Sequence, residues 1–148
     1  MREHEKLDGV LVEDTYNWVA QHQNGAVWYF GELALGYDDG TLDTLDGSWR
    51  FGKGGAKPGI LMMAAPALGD FYRQEFLLGS AEDIAHVVRV DQTIQVPAGT
   101  FEHCVAIEEW DPLEPLEYLL KFLAPDIGMV LETDTLTGER SELVGIQD

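Results

Sequence analysis

The feature that most constrains this chain is how regularly turn signals interrupt it. Asn24-Gly25, Asp38-Asp39-Gly40, Asp46-Gly47, Pro97-Ala98-Gly99 and Thr137-Gly138-Glu139 punctuate runs in which apolar and polar residues alternate. Alternation with period two is the signature of a strand with one buried face, and a turn about every ten residues leaves no room for long helices. Asn-Gly is the strongest short hairpin signal because both residues tolerate positive φ. It joins TYNWVAQHQ (15–23) to AVWYFGEL (26–33). The segments HVVRVDQTIQV (86–96) and TFEHCVAIEEW (100–110) flank the PAGT turn, and LEYLLKFL, IGMVLETDTL and RSELVGI follow. The pattern predicts an all-β chain: one domain over residues 1–148, an antiparallel curved sheet or partial barrel of about nine or ten short strands. One short helical turn is expected where Ser80-Ala81-Glu82-Asp83 has the form of a capping box.

Charge narrows the partners. Twenty-seven acidic residues against nine basic give a formal net charge of −18. Such a field repels phosphate backbones and anionic headgroups, which argues against nucleic acid and membrane surfaces and favours cations. A hydrophobic content of 45% is too high for a disordered chain. The opening MREHEKLDGV lacks the apolar core of a signal peptide, and GILMMAAPALG (59–69) is too short to span a bilayer, so the chain reads as soluble as given.

The single cysteine sits in TFEHCVAIEEW. Strict alternation there puts Phe101, His103, Val105, Ile107 and Glu109 on one face and Glu102, Cys104, Ala106, Glu108 and Trp110 on the other. His103 and Cys104 then point apart, no Cys-containing metal spacing exists, and Cys104 reads as a buried packing residue. Metal ligands are sought elsewhere. Glu82, Asp83 and His86 have the spacing that shares a helix face, although acids also suit a helix first turn. Glu108, Glu109 and Asp111 open the acid-rich DPLEP region, whose oxygens suit a hard divalent ion without matching an EF-hand loop. The metal anticipated is Ca²⁺, Zn²⁺ or Mn²⁺.

Glu32 and Glu75 are the candidate catalytic acid and base. Alternation places Glu32 with Ala26, Trp28 and Phe30, and a carboxylate facing aromatic surroundings titrates high. The aromatics Trp18, Trp28, Trp49 and Tyr72 fall on successive predicted strands and are the candidate ligand-binding set.

At NGAVWYFGE, GDFYRQE, AEDIA, VPAGTFEHC, PLEP and AP-DIGMVLE the chain resembles a family of uncharacterised bacterial extracytoplasmic, lipoprotein-like β-rich proteins. The resemblance implies an antiparallel sheet and a periplasmic or envelope setting, and carries no site residue. Family members have further strand-forming sequence upstream, whereas alternation here begins at Leu11-Val12-Glu13. That implies an exposed sheet edge and a homodimer formed through it. Two functions follow: an envelope module binding a divalent cation or small apolar ligand, or a small metal-dependent hydrolase of esters or phosphoesters.

Overall fold

The computed structural model describes residues 1–146. It is all-β and antiparallel, as the turn spacing predicts, with two sheets of six strands each and no closure into a barrel. The strands are β1 (Arg2–Leu7), β2 (Val10–Gln21), β3 (Val27–Asp38), β4 (Thr41–Thr44), β5 (Trp49–Arg50), β6 (Gly59–Met62), β7 (Phe71–Arg73), β8 (Ile84–Val96), β9 (Gly99–Trp110), β10 (Leu119–Ala124), β11 (Gly128–Asp134) and β12 (Arg140–Glu142). The first sheet runs β1-β2-β3-β4 with β5 and β6 also paired to β3; the second runs β12-β11-β10-β9-β8-β7.

The chain forms two compact units, Met1–Ala65 with Arg73–Asp83, and Pro66–Tyr72 with the residues from Ile84 onward. In the first, Tyr29, Trp49, Ala56 and Ala81 form the buried cluster, with Val19, Leu61 and Leu77 packed on it. Its returning segment closes on the backbone of the 57–61 stretch. Lys57 N donates to Phe76 O at 2.9 Å and Gln74 Nε2 to Leu61 O at 3.3 Å. Gly59 has no side chain for a reason: a Cβ there would fall on Gln74 O. In the second unit Val96, Cys104, Ala106, Phe122, Ala124, Val130 and Leu131 form the core. Val130 and Leu131, 1% and 7% exposed, each stabilise the fold by roughly 1.5–3 kcal/mol through burial.

Three local expectations are corrected. No helical turn exists at residues 80–83. Gly79, at φ +75°, lets the chain reverse so that Leu77 N donates to Ala81 O at 2.7 Å. Glu82 then reaches back to accept from Gly79 N at 2.9 Å, and the β-branched Ile84, Val87, Val88 and Val90 carry the chain away as a strand. The charged segment before Leu11 is itself strand β1, joined to β2 by Asp8 and Gly9, both at positive φ. Its Arg2, Glu3, His4, Glu5 and Lys6 are the charges that blunt a sheet edge. Finally, alternation fails at β-bulges in β3, β8 and β9, and those failures position the polar groups described next.

Candidate functional site

In β3 the register moves from Asn17↔Glu32 to Val19↔Tyr29, so β3 spends one more residue than β2 over that interval. Gly31, at φ +132°, lies in it, and a side chain there would meet Trp49 O and, at 2.8 Å, Arg50 Cα. The extra residue brings Glu32 to Tyr29 rather than to the face of Trp28 and Phe30. Tyr29 Oη lies 2.7 Å from Glu32 Oε2 and forms a short hydrogen bond to Asn17 Oδ1, while Asn17 Nδ2 donates to Glu3 Oε2 at 2.7 Å. Burial first, then the carboxylates of Glu32 and Glu75, hold the Tyr29 phenol far above its ordinary range. Tyr29 is therefore a permanent neutral donor. Glu32 contacts the Tyr29 phenol directly, Glu75 acts on it through its charge, and neither can deprotonate it near neutral pH.

Beside this network lies a concavity of about 390 Å³, lined by Trp18, Glu32, Leu33, Ser48, Trp49, Arg50, Lys53, Gly54 and Leu77. Trp18 is 39% exposed, and the Arg50 guanidinium stacks over its ring at 5.0 Å. Trp49 packs edge-on against Tyr29 with ring centroids 5.4 Å apart. Ser48 is fixed by the backbone of Ala34, accepting from its N–H at 3.0 Å and donating to its carbonyl at 3.2 Å. Among the described residues neither Arg50 nor Lys53 is ion-paired.

Of the four aromatics expected to line a ligand site, Trp18 and Trp49 meet at this groove. Trp28 does not line it; it lies between Ala20 and Ile60 in the sheet. Tyr72 belongs to the second unit, where burial and the charges of Glu109 and Asp70 raise its phenol. Sequence reasoning missed Arg50 and Lys53, although the Gly/Lys-rich GKGGAKPG segment (52–59) was the signal for Lys53.

The metal candidates are distributed differently. Glu82 pairs with Arg73 at 3.3 Å, and Asp83 O accepts from Gln74 N and Glu75 N. His86 and Glu108 are cross-strand partners, Nδ1 to Oε2 3.9 Å. Glu109 is buried and bridged by Lys121, which also reaches Glu132 at 3.2 Å. Asp111 caps its own turn, accepting from Leu113 N at 2.7 Å. Among the described residues no three His, Cys, Asp or Glu side chains converge as a metal site would require.

A second concavity, of about 420 Å³, is lined by Thr100, Phe101, Glu102, His103, Ala124 and Pro125. Here β8 and β9 each carry an extra residue, with Asp91 at φ +55° and His103 at φ +57°. The two bulges pair His103 Nδ1 with Asp91 Oδ1 at 2.6 Å. The Asp91 carboxylate raises the His103 imidazole above its ordinary value. The bulge also returns Phe101 to the Cys104 side, where it packs on the core, contrary to strict alternation. Cys104 is fully buried there, and burial pushes its thiol up.

Comparison with protein-family models, curated proteins and solved structures finds no match. No helix is long and apolar enough to cross a membrane among the described residues.

Proposed function

We propose that the protein is a binding module whose groove on the first unit takes a small ligand with a flat apolar body and an anionic end. One observation carries this reading: an exposed tryptophan and two cations without ion pairs converge on one concavity of a strongly acidic chain. Trp18 supplies the aromatic surface, Trp49 backs the wall from the core at 3% exposure, and Leu33 and Leu77 extend the apolar lining. Arg50 is stacked on Trp18 and so held in one orientation, which suits a planar carboxylate, while Lys53 adds a point charge on the glycine-rich loop. Glu32 at the same wall repels an anion on its side, so the acidic end is directed to Arg50 and Lys53. The apolar body matches the small apolar ligand anticipated from the aromatics, with the charge preference changed from cation to anion. The envelope setting is supported by the motif resemblance alone.

Three probes of one shape separate the charge classes: 2-naphthoate, 2-naphthalenemethanol and 2-naphthylmethylammonium, titrated against tryptophan fluorescence and thermal stability. The carboxylate is expected to bind saturably and the ammonium not at all. Arg50→Ala and Trp18→Ala should each weaken it by about tenfold, the scale of one charge-assisted contact. Equal binding of all three probes, or a carboxylate response unchanged in both variants, would remove the reading.

A further inference from the structure

The second unit carries a different surface at the Trp110 end of β9. Four rings form a continuous ladder across the strands. His86 on β8 lies 5.3 Å from Phe71 on β7, Phe71 lies 5.1 Å from Trp110 on β9, and Trp110 lies 5.7 Å from Tyr118 beside β10. Phe71 touches both His86 and Trp110 although β8 separates β7 from β9, so its ring leans over the sheet and the four rings form one tilted patch. Phe71 is 59% exposed and Tyr118 40%, and Leu116 next to it stands 81% in solvent. A contiguous exposed aromatic strip marks an interaction surface more than isolated apolar residues do.

Charge identifies the partner. Glu108 lies across from His86, Asp111 follows Trp110, and Glu114 and Glu117 sit on the loop that delivers Tyr118. Among the described residues no lysine or arginine pairs with any of these four. The charge of Glu117 and a hydrogen bond with it, and to a lesser degree the charge of Asp111, hold the Glu114 carboxyl above its usual range. The donors do not converge as a metal site requires. A nucleic acid or anionic bilayer would be repelled. A strip of rings bordered by carboxylates instead suits guanidinium and ammonium groups. Each can lie over a ring face while its N–H groups meet a carboxylate.

We propose that the Phe71–His86–Trp110–Tyr118 ladder is a docking surface for a basic segment of a partner protein, bound as an extended chain with lysine or arginine side chains laid along the rings. The patch reaches from β7 to the start of β10, about 14 Å at three strand spacings, which favours an extended segment over a single small cation, and its acids favour a basic segment over a neutral oligosaccharide. The site is separate in chemistry from the groove, which selects the opposite charge.

The test uses the full chain and a fluorescein-labelled peptide of alternating arginine and glycine, followed by anisotropy at near-physiological salt. A copy with glutamate in place of arginine, tetramethylammonium, and cellotetraose are the comparison ligands. The basic peptide is expected to bind saturably and the acidic copy not at all. Tyr118→Ser, at an exposed position that leaves the fold intact, should weaken binding by about fivefold, and Trp110→Ala by about tenfold. Glu114→Gln with Glu117→Gln should weaken it by about threefold and flatten its salt dependence. Leu136→Ala, exposed outside the ladder, should leave it unchanged. Near-ultraviolet circular dichroism checks each variant for native packing. No saturable binding of the basic peptide would overturn the proposal. So would binding that falls with salt yet ignores Tyr118→Ser and Trp110→Ala, because that is attraction to net charge alone. Tetramethylammonium or cellotetraose binding more tightly than the peptide would overturn it as well.

Discussion

The bulge in β3 and the paired bulges in β8 and β9 use the same device under opposite conditions. Each inserts a residue, breaks alternation and brings together two polar side chains that a regular strand would keep apart. In β3 the inserted geometry rests on a glycine, the neighbouring backbone is in contact, and the resulting Tyr29–Asn17 bond is buried. In β8 and β9 it rests on an aspartate and a histidine in left-handed backbone, and the side chains stand about three-quarters in solvent. Water can replace any partner of the second pair and none of the first. The buried bulge is therefore part of what holds the first unit together, whereas the exposed one sets only the aim and titration of one imidazole.

The largest expected effect tests the buried side. Gly31→Ala forces a Cβ into backbone atoms that cannot rotate away, at a φ that L residues rarely adopt. Loss of roughly 3 kcal/mol or more in denaturant unfolding, or failure to fold, is expected. A Gly31→Ala protein as stable as the parent would end the claim that this bulge is required. Tyr29→Phe comes next. It leaves Asn17 Oδ1 and Glu32 Oε2 without the phenol, and a cost of about 1–3 kcal/mol should appear in the same measurement.

Smallest is the effect on the exposed side. The His103 value is raised in the folded state, so the stability the pair contributes is fully present below the ordinary histidine value. It is lost as pH rises through the raised one. Asp91→Asn should move the His103 titration, followed by its ring proton resonances, down towards the ordinary value while the unfolding midpoint barely changes. A large loss of stability in Asp91→Asn would erase the contrast between the two bulges.

The same contrast explains what the sequence could disclose. Turns are local, so Asn24-Gly25, Asp38-Asp39-Gly40 and Thr137-Gly138 could be read directly, and with them the antiparallel all-β class. Asp8-Gly9 carries the same signal within a segment whose charge obscured it as a strand. A bulge is not local. Nothing within β3 says that Tyr29 and Glu32 meet; that follows from one extra residue counted against β2. The groove was half legible for a similar reason. Trp18 and Trp49 stand out by type, whereas Arg50 and Lys53 gain meaning only from converging on one concavity with Trp18, which is a tertiary property. At residues 80–83 a capping pattern lost to Gly79 and the β-branched run after it, showing tertiary context overriding a weak local preference.

The contact of Gly59 with Gln74 O also has a consequence for biosynthesis. The first unit is discontinuous in the chain, since its closing segment Arg73–Asp83 is made only after the Pro66–Tyr72 stretch of the second. A nascent chain ending at residue 65 lacks the backbone that seats against Gly59, Lys57 and Leu61, and it also lacks Glu75. On the ribosome the β1–β3 meander can pair as soon as it emerges, but the unit cannot reach its final packing until the returning segment has cleared the exit tunnel. For that interval its incomplete sheet stays open to wrong partners, and the carboxylates of β1 and β2 are the repulsion it has against them.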